Sequence, residues 1–227
     1  MQTLVEKGFP DIKELAGGFS AWQKAEYPAA SAPTPDYPAS PSLNAQLGLS
    51  ARDAAIDFRL KDMAGNQVSL TELVARKPVM LQFGSYTCPQ FREQVAGTEL
   101  LIARYRDRVQ FVVVYVIEPH PFGSKSPYSD GEWQSIYSFD RKANPVTQPL
   151  TYEERVRLAS ECVKDTGMTS LVLVDEFNNL VWQIYGPAPN LAYFIDTNGS
   201  IIKAQPWYKA SEMETAIKGY LDNPGTK

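Results

Sequence analysis

Two short apolar runs, residues 78–83 and 109–117, constrain this chain most, because a charged stretch lies between them with Phe91, Val95, Leu101, Ile102 and Tyr105 at helical intervals. Runs this apolar read as buried strands, and the intervening spacing reads as one amphipathic helix over 89–106. A strand, a helix and a strand in that order make a parallel unit with a right-handed crossover. Both strands then end at the same edge of the sheet, where α/β sheets place their ligands. Whatever follows residue 83 must therefore face whatever follows residue 117.

Flanking segments extend the pattern. Residues 55–60 alternate apolar and polar, a turn over 63–66 follows, and 67–70 can return as the second arm of a hairpin. A helix is expected near 152–164, strands at 171–174, 181–184, 192–195 and 200–202, a turn at 196–199, and a final helix from about Ser211. A hairpin, a parallel unit and a closing antiparallel pair with a terminal helix predict an α/β, thioredoxin-like fold with an N-terminal β-hairpin extension over residues 51–227.

Upstream, residues 29–50 are rich in Pro, Ala and Ser, with five prolines between Tyr27 and Ser42, as in an extended linker. Before it, Gly8, Phe9, Pro10, the pair Gly17-Gly18, Trp22 and Pro28 are spaced in a way that resembles the last strand and helix of a rhodanese domain, over residues 1–28. Residues 1–51 contain neither Cys nor Arg, so no sulfurtransferase centre is expected in this segment, which would be the tail of a longer fusion or follow a start at an internal methionine.

Cys88 lies just past the first parallel strand, and Pro89 follows at what should be the first helical position, where its missing N–H is harmless. A cysteine at a helix N-terminus is expected to have its thiolate favoured by the unpaired backbone N–H groups and the helix dipole. Ser85 and Thr87 add hydroxyls that can donate to the sulfur. The alternative is a small, inert, packed cysteine, which the Gly84 to Thr87 loop and Pro89 disfavour. His120, the single histidine, falls three residues past the second strand and so on the same edge. Imidazole titrates in the useful range, so His120 can stabilise the thiolate or pass a proton to the leaving group, and Glu118 can orient it. Cys162 sits on an apolar stripe with Val156, Ala159 and Val163 and reads as core.

The formal charge of -4 with dispersed Lys and Arg excludes a basic nucleic-acid surface. No apolar run is long enough for a membrane helix, and no signal-peptide pattern opens the chain. Two distant cysteines make neither a zinc knuckle nor a disulfide framework, so no metal is expected and a reducing, cytoplasmic setting is.

Residues 83–91 reproduce Phe-Gly-Ser-x-Thr-selenocysteine-Pro-x-Phe with cysteine at 88, and in this the chain resembles the iodothyronine deiodinase family. Tyr115 to His120 is similar to the family's Tyr-x-x-Glu-Ala-His with Pro119 for alanine, Asp130, Gly131 and Trp133 to its Asp-Gly-Trp, and 185–196 to the segment before its penultimate strand. The resemblance implies a redox-active Cys88, and it places Pro189 where thioredoxin folds hold a cis-proline. Tyr86, Trp133 and Pro189 are the expected substrate contacts. The chain also departs from the family: Tyr86 replaces a cysteine several members carry, residues 121–129 are inserted, and 134–151 contain no histidine.

Two functions follow as expectations. One is a thiol-dependent oxidoreductase in which Cys88 reduces an organohalide, peroxide or disulfide, without a cofactor, and an external thiol such as glutathione or thioredoxin regenerates it. The other is a non-catalytic binding module presenting Trp133, Trp182 and Trp207. Expected partners are a small-molecule substrate and a thiol reductant, with a homodimer left open and no nucleic acid or membrane.

Overall fold

The computed structural model describes residues 48–223, so the rhodanese-like segment and nearly all of the linker lie outside the described residues. The first hairpin pairs β1 (Arg59–Asp62) with β2 (Gln67–Ser69), and the Asp62 carboxylate accepts the Ala64 and Asn66 N–H groups inside its turn. Strand pairing starts later than the alternation at 55–60 suggests. Residues 52–55 bond instead to the backbone at Gly199 and Ile201, as a cover strip rather than a ladder partner. Ser69 then opens α1 (Leu70–Val74) through a reciprocal cap with Glu72.

The central unit is as expected. β3 (Val79–Gly84) runs into α2 (Pro89–Tyr105) and returns as β4 (Gln110–Tyr115), parallel to β3 from Val79 opposite Gln110 to Gly84 opposite Tyr115. A long segment then leads to α3 (Tyr152–Thr166) and β5 (Leu171–Val174), followed by α4 (Leu180–Tyr185), β6 (Ala192–Ile195), β7 (Ile201–Gln205) and α5 (Ala210–Asp222). The strands form one mixed sheet in the order β2-β1-β5-β4-β3-β6-β7.

Alternation along the strands sorts the core into two layers. Met80, Phe111, Val113, Tyr115, Val172, Val174 and Phe194 project to the face covered by α2, α3 and α5. Phe83 and Tyr193, one position out of phase, project to the other face, where Tyr185 of α4 packs 5.4 Å and 5.3 Å from their ring centres. Gly84 ends β3 where a Cβ would stand 2.0 Å from the Phe91 ring, so only glycine lets that ring close over the strand end.

Residues 181–184 are helical, not the expected strand. Asp175 supplies the reason: its buried carboxylate accepts the Val181 and Trp182 N–H groups at 3.4 and 3.0 Å, holding the first turn of α4. No described peptide bond is cis, so the bond before Pro189 is trans. Gly186 has φ 122°, a backbone that favours glycine, and an Ala188 N–H to Gly186 carbonyl bond of 2.8 Å closes a tight turn over Pro187. Among the described residues no helix is long and apolar enough to cross a membrane.

Candidate active site

Cys88 is the N-cap of α2, with extended backbone (φ -81°, ψ 110°), and its Sγ accepts the Phe91 N–H at 3.4 Å. Pro89 occupies the first turn as expected. The residue is nevertheless only 1% exposed, and its electrostatics reverse the expectation of a ready thiolate. Burial pushes the Cys88 thiol up to about 12, and a negative Glu118 adds to the rise; the N–H groups of Phe91 and Gln90 act the other way and lose. Cys88 rests as a neutral thiol.

His120 lies on the same edge as Cys88, as the crossover requires: both line one cavity of about 290 Å³, together with Tyr128, Trp133, Pro189 and Trp207. The imidazole Nδ1 lies 3.0 Å from the Trp133 carbonyl. A carbonyl only accepts, so Nδ1 carries the proton and Nε2 keeps its lone pair. Burial holds His120 below its ordinary pKa, which keeps the ring neutral near pH 7. The Trp133 ring stands edge-on to it at 4.5 Å, fixing the ring plane. One cavity thus holds a neutral thiol and a neutral imidazole.

Glu118 does not orient His120. Its buried carboxylate accepts the Thr87 N–H and hydroxyl, each at 2.8 Å, and the Tyr115 hydroxyl at 2.5 Å. Burial lifts the Glu118 pKa in spite of those three bonds. Thr87 Oγ1 in turn accepts the His120 backbone N–H at 3.1 Å. Ser85 donates to the Ile117 carbonyl at 3.0 Å. The hydroxyls of Ser85 and Thr87 are therefore spent on tying the two strand ends together, not on the sulfur as expected.

Tyr86 is not a substrate contact either. It is 1% exposed and outside the cavity lining, its N–H bonded to the Tyr115 hydroxyl and its own hydroxyl to Asp165. Its ring and that of Tyr137 sandwich the Arg92 guanidinium at 4.6 and 4.4 Å. Trp133 and Pro189 do line the cavity, whereas Trp182 is fully buried. Cys162 is buried in the same core layer as Cys88, and both thiols are free.

Sequence reasoning missed Tyr128 and Tyr115. The Tyr115 hydroxyl could have been inferred three residues before Glu118 at a strand end. Tyr128 lies in the 121–129 insertion, where only an aromatic following Pro127 hints at a role.

A cysteine at the head of the crossover helix, facing a loop after the next parallel strand, defines the class: a thioredoxin-like domain with a thiol centre. Solved structures share that fold, among them a thiol:disulfide interchange protein of Bacteroides sp. (TM-score 0.56, 13% identity, 78% of this chain and 93% of that one). Another is the thioredoxin domain of a thiol-disulfide oxidoreductase of Bacteroides vulgatus (TM-score 0.53, 13% identity, 76% and 98%). The family model described as iodothyronine deiodinase matches residues 58–219, and the chain belongs to that family. Similar relatives include thyroxine 5-deiodinase of Ovis aries (29% identical over 168 residues, 71% of this chain and 52% of the relative) and of Sus scrofa (30% over 168 residues, 71% and 50%). The chain spans about half the length of these curated relatives.

Proposed function

We propose that the protein is a one-cysteine, thiol-dependent oxidoreductase. Family membership and the redox fold support the class. The observation that carries the reading is that Cys88 and a neutral His120 line one cavity. His120 Nε2 takes the thiol proton as Sγ attacks the electrophilic atom of a substrate, a halogen, a peroxide oxygen or a disulfide sulfur. The bond to the leaving group breaks, and that group leaves with the electron pair and the proton from the imidazolium. One external thiol attacks Sγ, the captured atom or group leaves as halide, water or thiol, and a mixed disulfide forms at Cys88; a second external thiol attacks the sulfur of the first, releasing Cys88 as thiol and the pair as a disulfide. The substrate gains two electrons and the two external thiols become one disulfide. Two free, buried cysteines support a reducing, cytoplasmic setting.

The same burial favours a second reading. A thiol held near pKa 12 is inert without a base, which fits a binding module in which Cys88 is packing and Trp133 and Trp207, about two-fifths exposed, contact a partner. Replacement of Cys88 by serine separates the two. Loss of thiol-dependent turnover of hydrogen peroxide, a small disulfide and an iodinated phenol supports the reductase, and full turnover in the variant rejects it.

A further inference from the structure

Two serines downstream of His120 form a clasp across the loops that carry the thiol and the imidazole. Ser135 Oγ accepts the Tyr137 N–H at 3.1 Å and donates to the Thr87 carbonyl at 2.9 Å. Ser138 Oγ accepts the Ser135 N–H at 2.8 Å and donates to the His120 carbonyl at 2.6 Å. Each hydroxyl thus takes one N–H of the turn and gives its own proton to one strand-end loop. The Ser138 N–H closes the turn on the Ser135 carbonyl at 3.1 Å, and the Tyr137 ring lies 4.4 Å from the guanidinium of Arg92, four residues past Cys88. The turn is therefore docked on the residue before the nucleophile, on the backbone of the base and on α2.

Two residues before Ser135, the Trp133 carbonyl stands 3.0 Å from His120 Nδ1. That contact is a hydrogen bond in one neutral form of the ring, with the proton on Nδ1. With the proton on Nε2 instead, a ring lone pair would face a carbonyl lone pair. The second form is disfavoured as long as the carbonyl cannot draw back. Trp133 and Gln134 are exposed and have little burial to hold them, so the restraint falls to half-buried Ser135 and its bond to Thr87.

Resting on His120 as the base for Cys88, we propose that Ser135 is a positioning residue. Its bond to the Thr87 carbonyl keeps the Trp133 carbonyl against His120 Nδ1, and so leaves the Nε2 lone pair free for the thiol proton. The loop before the nucleophile thereby sets the tautomer of the base.

Nitrogen NMR of the full chain labelled with 15N-histidine reads this directly, because His120 is the single histidine. At pH 8, where the ring is neutral, the parent is expected to hold mainly the Nδ1–H form. In Ser135→Ala the ratio of Nδ1–H to Nε2–H is expected to fall roughly three- to tenfold, the worth of one hydrogen bond. Ser135→Thr keeps the hydroxyl and should retain the parent ratio. Alkylation by iodoacetamide, assigned to Cys88 by peptide mapping, supplies the second readout. There the Sγ–C bond forms, the C–I bond breaks, iodide leaves and the thiol proton passes to His120 Nε2. Its rate should fall in Ser135→Ala in proportion to the Nδ1–H fraction and be restored in Ser135→Thr. A merely structural serine would lower the melting temperature and leave both readouts where they are. An unchanged ratio in Ser135→Ala, a rate that does not follow the ratio, or Ser135→Thr as impaired as alanine overturns the proposal while leaving Cys88 as nucleophile intact. Failure of iodoacetamide to alkylate Cys88 in the parent overturns the reading of Cys88 itself, whatever the tautomer.

Discussion

Replacing Glu118 by alanine should cripple the fold from the inside of its active site. Three donors converge on that carboxylate, the Tyr115 hydroxyl at 2.5 Å and the Thr87 N–H and hydroxyl at 2.8 Å, and all are buried. Alanine orphans all three at once, at about 1–3 kcal/mol each, and leaves a cavity besides. Allowing for relaxation, a loss of roughly 3–6 kcal/mol is expected, a large share of the ~5–15 kcal/mol that holds an ordinary domain. Glu118→Gln keeps the shape and one accepting oxygen, so its loss should be about 1–2 kcal/mol. Urea unfolding followed by tryptophan fluorescence reads these as shifts in midpoint at constant slope. The reasoning fails if alanine falls within about 0.5 kcal/mol of the parent, the range of an ordinary surface change, or if glutamine is as damaging as alanine. The expected order has a functional echo, because Thr87 also accepts the His120 backbone N–H at 3.1 Å. Loosening it should slow reaction at Cys88 even where the variant stays folded.

Three further outcomes are expected. His120→Ala should slow alkylation of Cys88 by roughly 10²-fold or more; in the parent the rate should rise with pH through a pKa below 6.5, as the base becomes neutral, and then level off. Asp175 is lifted to about 6 by burial, so the native state binds more protons than the unfolded chain between the ordinary carboxyl value of 3.8 and that point. Its contribution is fully present below that window and is lost as pH rises through it, by about 3 kcal/mol as an order of magnitude; the pH dependence of Asp175→Asn should lack that fall, and identical curves contradict the assignment. Gly84→Ala should lower stability by about 1–3 kcal/mol, since its Cβ would stand 2.0 Å from the Phe91 ring; an unshifted unfolding midpoint rejects that packing.

The parallel unit was legible because its two strands are buried on both faces, and their apolar runs have few other uses. That unit alone brings Cys88 and His120 to one cavity, since a right-handed crossover leaves no other edge. Three features were hidden for separate reasons. Residues 181–184 are too few to show a helical period, and their cap, Asp175, belongs to the end of another strand. The hydroxyls of Ser85, Thr87 and Tyr86 turn toward Ile117, Glu118 and Asp165, partners 32, 31 and 79 residues away that no local pattern reveals. The neutrality of Cys88 depends on burial in a layer drawn from distant parts of the chain, from Tyr86 and Phe91 to Val146, Leu158 and Val174. The helix N-terminus is a local feature and desolvation is not, so a reading from sequence overweights the first.

The reduced protein, mixed in turn with hydrogen peroxide, a small disulfide and an iodinated phenol, tests the central claim by mass spectrometry of Cys88 during the first turnover. An adduct on Cys88 that forms with at least one of them, disappears on addition of an external thiol, and is absent in His120→Ala over the same interval is the expected result. Substrate consumed while Cys88 stays unmodified, or consumed equally by Cys88→Ser, contradicts it.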